Sequence, residues 1–248
     1  MACLSTSQHL LRAHVRPWKC FLNQIPTHSR NSVVRDWRQA AERLSSALIL
    51  DVLDTKGLRQ QALRPGIVPR TGPAVVVGVA KTLLWMDFAH DDPDTYDLEL
   101  KAVDSVQPDD LIVCATANSH RSGIWGELLT TAAIRRGAVG VVTDGGVRDV
   151  AKIEALGFPV FSRFLSPYDS FNRQKVFAYD IRVEIDDVTI EPGDMVVADR
   201  DGVAVVPARL ASEILALALG KAGKEDQFRD AVKAGMSLSA AYEKYHVL

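Results

Sequence analysis

The sequence predicts a single compact α/β domain closed by C-terminal helices. Three observations carry this. Short apolar runs rich in β-branched residues alternate with helical periodicity through the middle of the chain. After Pro167, four short strand patterns follow at meander spacing, so βα units are mixed with antiparallel strands. From Leu210 onward the pattern is helical.

The elements read in order as follows. The first 35 residues stand apart, because Arg12, Arg16, Lys19, Arg30 and Arg35 all precede the first acid, Asp36. Such an acid-poor, Arg-rich start has the character of an organelle transit segment or of a solvated basic arm. Residues 1–35 are therefore separated from a domain over residues 36–248. From Asp36, Trp37, Ala40, Ala41, Leu44 and Leu48 recur at helical spacing, and residues 45–57 form a second helical piece closed by Gly57. Arg64-Pro-Gly66 and Pro69-Arg-Thr-Gly-Pro73 are turn chemistry. Residues 74–80 are a buried strand, 90–94 an acidic loop and 98–106 a helix. Pro108-Asp-Asp110 turns into a strand at 111–115. A polar loop at 118–123 precedes a helix over 125–136 that Gly137 stops. A strand at 138–142 ends in a turn, Thr143-Asp-Gly-Gly146, and a helix at 147–156 follows. Residues 157–161 make a turn and a short strand. The later strands are 183–185, 188–190, 195–198 and 203–206. Two helices, 210–235 and 237–245, close the chain.

Bulk composition narrows the function classes. Hydrophobic residues are 47% and charged residues 24%, the balance of a protein with a sizeable core. A net charge of −2 gives nucleic acid no electrostatic handle. No apolar run approaches the roughly 20 residues that span a bilayer. Cys3, Cys20 and Cys114 are far apart and form no CxxC pair, which argues against a disulfide framework or a zinc site. A reducing compartment is the simplest setting. That is the cytoplasm, or the mitochondrial matrix if the basic start is a transit segment. Cys114 reads as a small buried hydrophobe, and Trp37, Trp85 and Trp125 as core or interface. Asp91, Asp92, Asp94 and Asp97 read as a solvated acidic loop rather than a cation site.

Chemistry concentrates in Thr143-Asp-Gly-Gly-Val-Arg-Asp149. Open α/β sheets bind ligands at strand carboxyl ends, where helix N-termini point. Arg148 offers a fork for a carboxylate or phosphate, and Asp149 a hard oxygen for Mg²⁺ or Mn²⁺. Glu127 stands at the start of the preceding helix, where the dipole favours a carboxylate. The residues alone leave two readings open: a paired cation and anion site, or a helix-start acid beside a surface ion pair.

Glu127, 20 intervening residues and Arg148-Asp149 match a D/E-X20-R-D pattern. With the flanking words Trp125-Gly-Glu-Leu-Leu129, Arg136-Gly-Ala-Val-Gly-Val-Val142, Gly157-Phe-Pro-Val-Phe161, Pro192-Gly-Asp194 and Asp199-Arg-Asp-Gly-Val203, the chain from about Ala47 onward resembles the RraA-like family. This family includes the 4-hydroxy-4-methyl-2-oxoglutarate (4-carboxy-4-hydroxy-2-oxoadipate) aldolases. The resemblance implies an α/β/β sandwich of the swivelling-domain kind, assembled as a trimer or as a hexamer of two trimers, with sites between subunits. It implies that Arg148 binds the carboxylate of a pyruvate moiety, and that Gly126 and the amides of Leu128 and Leu129 bind the same end. By the same resemblance, Asp149 ligates Mg²⁺ or Mn²⁺, Glu127 holds metal-bound waters, and Glu225 of a neighbouring subunit holds another, with Asp226 its competitor. The implied activity is a metal-dependent aldolase releasing pyruvate from 4-hydroxy-2-oxo acids, with oxaloacetate decarboxylation through the same enolate.

The sequence also departs from the family. Lys152 stands where many relatives carry an acid, and residues 90–96 lack the asparagine that faces substrate in the aldolases. His120, Arg121 and Ser122 are candidates for a distal carboxylate. A second class of family member binds and inhibits a ribonuclease E-like partner and tends to lack the first acid of the motif; Glu127 is present here. A methyltransferase, a label the family often carries, is disfavoured because no strand leads into a GxGxG-like loop near the start.

Overall fold

The computed structural model of the protein describes residues 27–73 and 75–248. The bulk of the basic N-terminal stretch, with Cys3 and Cys20, lies outside the described residues. Helix α1 (Thr27–Ala40) crosses the boundary expected at Asp36, and Val34 and Trp37 on it are buried. Helix α2 (Ser46–Thr55) is capped by Ser45, whose Oγ accepts from Leu48 N at 3.1 Å.

The remaining elements build one curled sheet with helices outside and a small ribbon inside. They are β1 (Val68–Thr71), β2 (Val75–Asp87), α3 (Asp97–Asp104), β3 (Asp110–Ala115), β4 (Gly123–Trp125), α4 (Glu127–Arg136), β5 (Gly140–Val147), α5 (Val150–Ala155), β6 (Val160–Leu165), β7 (Gln174–Tyr179), β8 (Val183–Ile185), β9 (Val188–Ile190), β10 (Met195–Asp199), β11 (Val203–Val206), α6 (Ala211–Lys233) and α7 (Leu238–Tyr245). The sheet runs β1-β6-β5-β3-β2-β10-β11, with β4 paired to β5 and β7 to β2. Strands β2, β3, β5 and β6 are parallel; β1, β10, β11 and β7 join antiparallel. The mixture of βα units and antiparallel strands is the one expected, but the four late strands form two hairpins in separate sheets, β8–β9 and β10–β11, rather than one meander.

The 13-residue β2 shows how the layers meet. Its residues Val77 and Val79 face α1, α2 and α6, while Leu83 and Trp85 on the same side face α3 and α4. Val76 and Ala80 point to the other side, where β8 and β9 bury Val183, Ile185, Val188 and Ile190 over Leu111, Val142 and Phe161. This is the α/β/β layering. Trp37, Trp85, Trp125 and Cys114 are all buried in these cores, and burial pushes the Cys114 thiol up.

Several local expectations are corrected. The turn at 69–73 is in part strand β1; Pro69 is tolerated because β1 is the edge of the sheet. Strand β2 continues past Ala80 because its polar residues find partners: Lys81 Nζ meets Asp180 at 2.7 Å, and Thr82 Oγ1 donates to Ile181 O at 2.6 Å. Strand β7 has no counterpart in the sequence reading. Thr143–Gly146 is not a turn but the buried continuation of β5, and the following helix starts at Val150 rather than Val147. Gly145 and Gly146 answer to close approach: a Cβ would lie 2.8 Å from Thr116 Cγ2 at the first, and 2.5 Å from Phe164 Cε2 at the second. Among the described residues, no helix is long and apolar enough to cross a membrane.

Candidate active site

Three strand ends and two helix starts converge where β5 leaves the sheet. The short strand β4 lies beside the end of β5, so Arg148 N donates to Trp125 O at 2.9 Å. This bond sets the start of α4 against the start of α5. The α4 start is further fixed from inside: buried Trp125 Nε1 donates to Thr130 Oγ1 at 2.8 Å, and that hydroxyl donates to Gly126 O at 2.9 Å. The first-turn amides of Leu128 and Leu129 have no intrahelical acceptor.

Asp149 occupies the cap position of α5 with φ 58° and ψ 28°. The left-handed region is costly for a side-chain-bearing residue, and Asp and Asn tolerate it best. Its side chain makes no cap bond to its own helix. Instead Oδ2 receives the Glu127 N–H at 3.4 Å, so the carboxylate rests at the positive end of α4. Glu127 bends along its helix, and its Oε1 accepts from Thr131 Oγ1 at 3.0 Å.

The structure thus gathers Gly126, Glu127, Arg148 and Asp149. Leu128 is exposed beside them, and Leu129 turns toward the core. The Arg148 and Asp149 side chains remain about a third exposed, and the Arg148 Nε to Asp149 Oδ2 separation is 4.0 Å. That is the limit of an ion pair, so the two groups do not quench each other. Glu225 lies elsewhere, on α6, 3.7 Å from Lys221, which also binds Asp51. Asp226, its competitor, pairs with Arg229 at 2.6 Å. Within one chain neither reaches the cluster.

Sequence reasoning did not identify Asp169. Its Oδ2 meets Arg148 Nη2 at 2.5 Å, and its Oδ1 accepts from Tyr96 Oη and Phe171 N, both at 2.6 Å. Burial would raise this carboxyl, but the hydrogen bonds and Arg148 outweigh burial and hold it below its ordinary value. Burial and then Asp169 push the Tyr96 hydroxyl up. Asp169 sits in a stretch without periodicity, so no local signal marked it. The loop candidates are accounted for differently: Ser122 donates to Gln174 Oε1, Arg121 to Phe88 O, and His120 stacks on Phe164 at 4.4 Å. Asp92 is bound to Lys175, which lowers its carboxyl, and Asp91 Oδ1 accepts from Asn172 at 2.9 Å.

Among the described residues, no three His, Cys, Asp or Glu side chains converge on one point. Asp149 with Glu127 nearby is a donor set of hard oxygens and low number. That set suits Mg²⁺, which keeps several of its own waters and needs only one or two carboxylates.

Gly126 carries a direct test of this arrangement. A Cβ there would lie 2.9 Å from Asp149 Oδ2 and 3.2 Å from Arg148 Cγ. The backbone, at φ −146°, accepts alanine, and the obstructed atoms are movable side-chain ends. Gly126→Ala should therefore cost only about 1 kcal/mol of stability in thermal unfolding while displacing the Asp149 carboxylate. Turnover should fall on the order of 10-fold or more, since small misplacements at a reacting centre are expensive. Full activity in that variant would show that the carboxylate position is not critical.

Comparison with known proteins shows the family. A family model described as RraA-like, Aldolase/RraA, matches residues 46–205. Protein DlpA of Legionella pneumophila is 28% identical over 224 residues, covering 89% of this chain and 36% of its own length. A Halalkalibacterium halodurans protein provisionally named 4-hydroxy-4-methyl-2-oxoglutarate aldolase is 29% identical over 143 residues, 58% of this chain and 68% of that protein. The chain thus spans about a third of the length of DlpA. Among solved structures, Streptomyces coelicolor RraAS2, described as an unusual member of the RNase ES inhibitor RraA protein family, superposes with a TM-score of 0.70. It is 32% identical, with 80% of this chain and 96% of that chain covered.

Proposed function

Because the chain belongs to the RraA-like family, we propose that it is a divalent-metal-dependent lyase that releases pyruvate from 4-hydroxy-2-oxo acids and decarboxylates oxaloacetate at the same site. One observation carries the reading: Arg148, oriented by Asp169 yet about a third exposed, and Asp149, free of capping duty, stand together at the start of α4. A structural Arg-Asp pair would be closed on itself; this one is splayed around an accessible helix N-terminus.

In this reading Arg148 takes the substrate carboxylate through charge-assisted hydrogen bonds, and the Leu128 and Leu129 amides share it. Asp149 would hold Mg²⁺ or Mn²⁺ directly, and Glu127 through water. The metal, when bound, supplies Lewis-acid stabilisation of charge developing on the 2-oxo oxygen. Glu127 takes up the proton of the substrate hydroxyl through water as the carbon–carbon bond breaks, and a proton delivered through the same water to the enolate carbon gives pyruvate. With oxaloacetate the departing fragment is CO₂, so no hydroxyl proton need be removed. Exposed Leu128, Leu165 and Tyr168 flank the site and fit burial against further copies of the chain in a trimer or hexamer. In such an assembly Glu225 of a neighbouring copy would complete the water-holding carboxylates.

The test is a coupled pyruvate-release screen over a panel of 2-oxo acids, with and without Mg²⁺ or Mn²⁺. Release from a 4-hydroxy-2-oxo acid or oxaloacetate that disappears in EDTA is the expected result; activity that survives EDTA removes the metal from the mechanism. The similarity to RraAS2 favours a second reading, a non-catalytic regulator of a ribonuclease E-like partner. That reading requires ribonuclease binding with no turnover of any 2-oxo acid.

A further inference from the structure

A buried carboxyl group within electrostatic reach of Arg148 has no part in the chemistry above. Glu99 lies three residues after Tyr96 at the start of α3, so the two share a helix face. Tyr96 is the group that clamps Asp169 against Arg148. Glu99 is only 5% exposed, and its Oε2 has no hydrogen-bond partner among the described residues. Two buried donors, Trp85 Nε1 and Gln174 Nε2, are also without partners there. Both belong to the β2–β7 pairing on which α3 packs, where Trp85 is opposite Val176 and Gln174 opposite Asp87. Buried polar atoms without hydrogen-bond partners, Glu99 Oε2 among them, thus fall on α3 and on the strand pair it packs against, one helical turn from the tyrosine that tethers the carboxylate-binding arginine.

The charged and titratable groups facing Glu99 come from four elements. They are Asp169 from the β6–β7 connection, Arg148 from the end of β5, Cys114 from β3 and Tyr96 from its own helix. Helix α4, which also packs on α3, contributes exposed Arg136, paired with Asp104 of α3; strand β7, packed on α3 as well, carries Tyr179 and Lys175, the latter bound to Asp92; and Lys101–Asp97 on α3 is likewise exposed. An ionised Glu99 would be a second anion near Asp169 whose buried Oε2 meets no donor among the described residues. Desolvation is the larger cost and Asp169 the next, and together they push the Glu99 carboxyl up to about 8.

We propose that Glu99 is a positioning residue for Arg148: kept as a neutral acid, it leaves Asp169 as the single counter-anion, and losing its proton to solvent places a second negative charge behind the guanidinium and loosens its hold on a substrate carboxylate. The proposal rests on the reading of Arg148 as the carboxylate-binding group. It adds an upper pH limit to substrate binding that is set away from the reacting atoms.

The experiment measures the dissociation constant of pyruvate with Mg²⁺ by calorimetry from pH 6.5 to 9.5, in the full chain and in Glu99→Gln. Glutamine mimics the neutral acid in size and shape. ¹³C NMR of the glutamate carboxyls, which does not depend on activity, follows Glu99 itself. Expected are an affinity that weakens roughly 10-fold on crossing pH 8 in the natural protein, a nearly flat profile in Glu99→Gln with neutral-pH affinity retained, and one carboxyl resonance titrating near pH 8. Parallel profiles in the two proteins overturn the proposal alone, as does a set of glutamate resonances that all titrate below pH 6. If pyruvate fails to bind at every pH, the carboxylate-site reading falls and this proposal with it.

Discussion

Arg148→Ala should lower kcat/KM for pyruvate release by roughly 10²-fold or more, the loss expected when a charge-assisted contact on the order of 3 kcal/mol is removed from a developing anion. The geometry explains why the effect should be so large. The guanidinium is held by Asp169 on a loop that Tyr96 anchors, so it reaches the site already oriented. Alanine removes both the charge and that orientation. The fold should be spared, because the Arg148 backbone bond to Trp125 is made by the main chain and the side chain is about a third exposed. Steady-state kinetics beside a thermal melt separate the two effects; turnover near that of the natural protein would remove Arg148 from the site.

Asp149→Asn should strongly weaken the stimulation by Mg²⁺ or Mn²⁺. Asparagine is a deliberate choice. It accepts the left-handed backbone at φ 58° about as well as aspartate, whereas alanine would add strain to the loss of charge. Even outer-sphere partners of a metal are worth 10–100-fold in affinity, so losing an anionic direct ligand should raise the metal concentration for half-maximal activity by about 10² or more. The melting temperature should change little, because the carboxylate makes no cap bond to α5. A metal titration of activity that superposes on that of the natural protein would exclude Asp149 as a ligand.

What could be read from the sequence, and what could not, divides along physical lines. Glu127 and Arg148-Asp149 were legible through their fixed spacing, which resembles the family motif; their places near helix starts left an ordinary surface ion pair equally open. The apolar run over residues 74–80 was legible as a buried strand, but its two-sided alternation through Leu83 and Trp85 was not, because Lys81 and Thr82 interrupt the apolar pattern; the layering followed from the family resemblance. The continuation of β5 was hidden because Thr143 and Asp144 are polar and periodicity reads polarity as exposure. In the fold both are buried and satisfied: Thr143 Oγ1 donates to Cys114 O, and Asp144 accepts from Thr116 and Asn118. Asp169 and Glu99 were hidden for a different reason. Tyr96 and Asp169 are 73 residues apart, and it is the pairing of β6 with the end of β5, Val147 opposite Leu165, that brings the segment after β6 back beside Arg148. No spacing rule within a single helix or strand encodes that closure.

The most direct test of the central claim, that the Glu127–Arg148–Asp149 cluster is one metal and pyruvate site, is calorimetric titration of pyruvate into the full chain in Mg²⁺ and in EDTA, repeated with Arg148→Ala. Saturable binding that requires both Mg²⁺ and Arg148 is the expected result. Pyruvate binding indifferent to the metal and to Arg148 would contradict it.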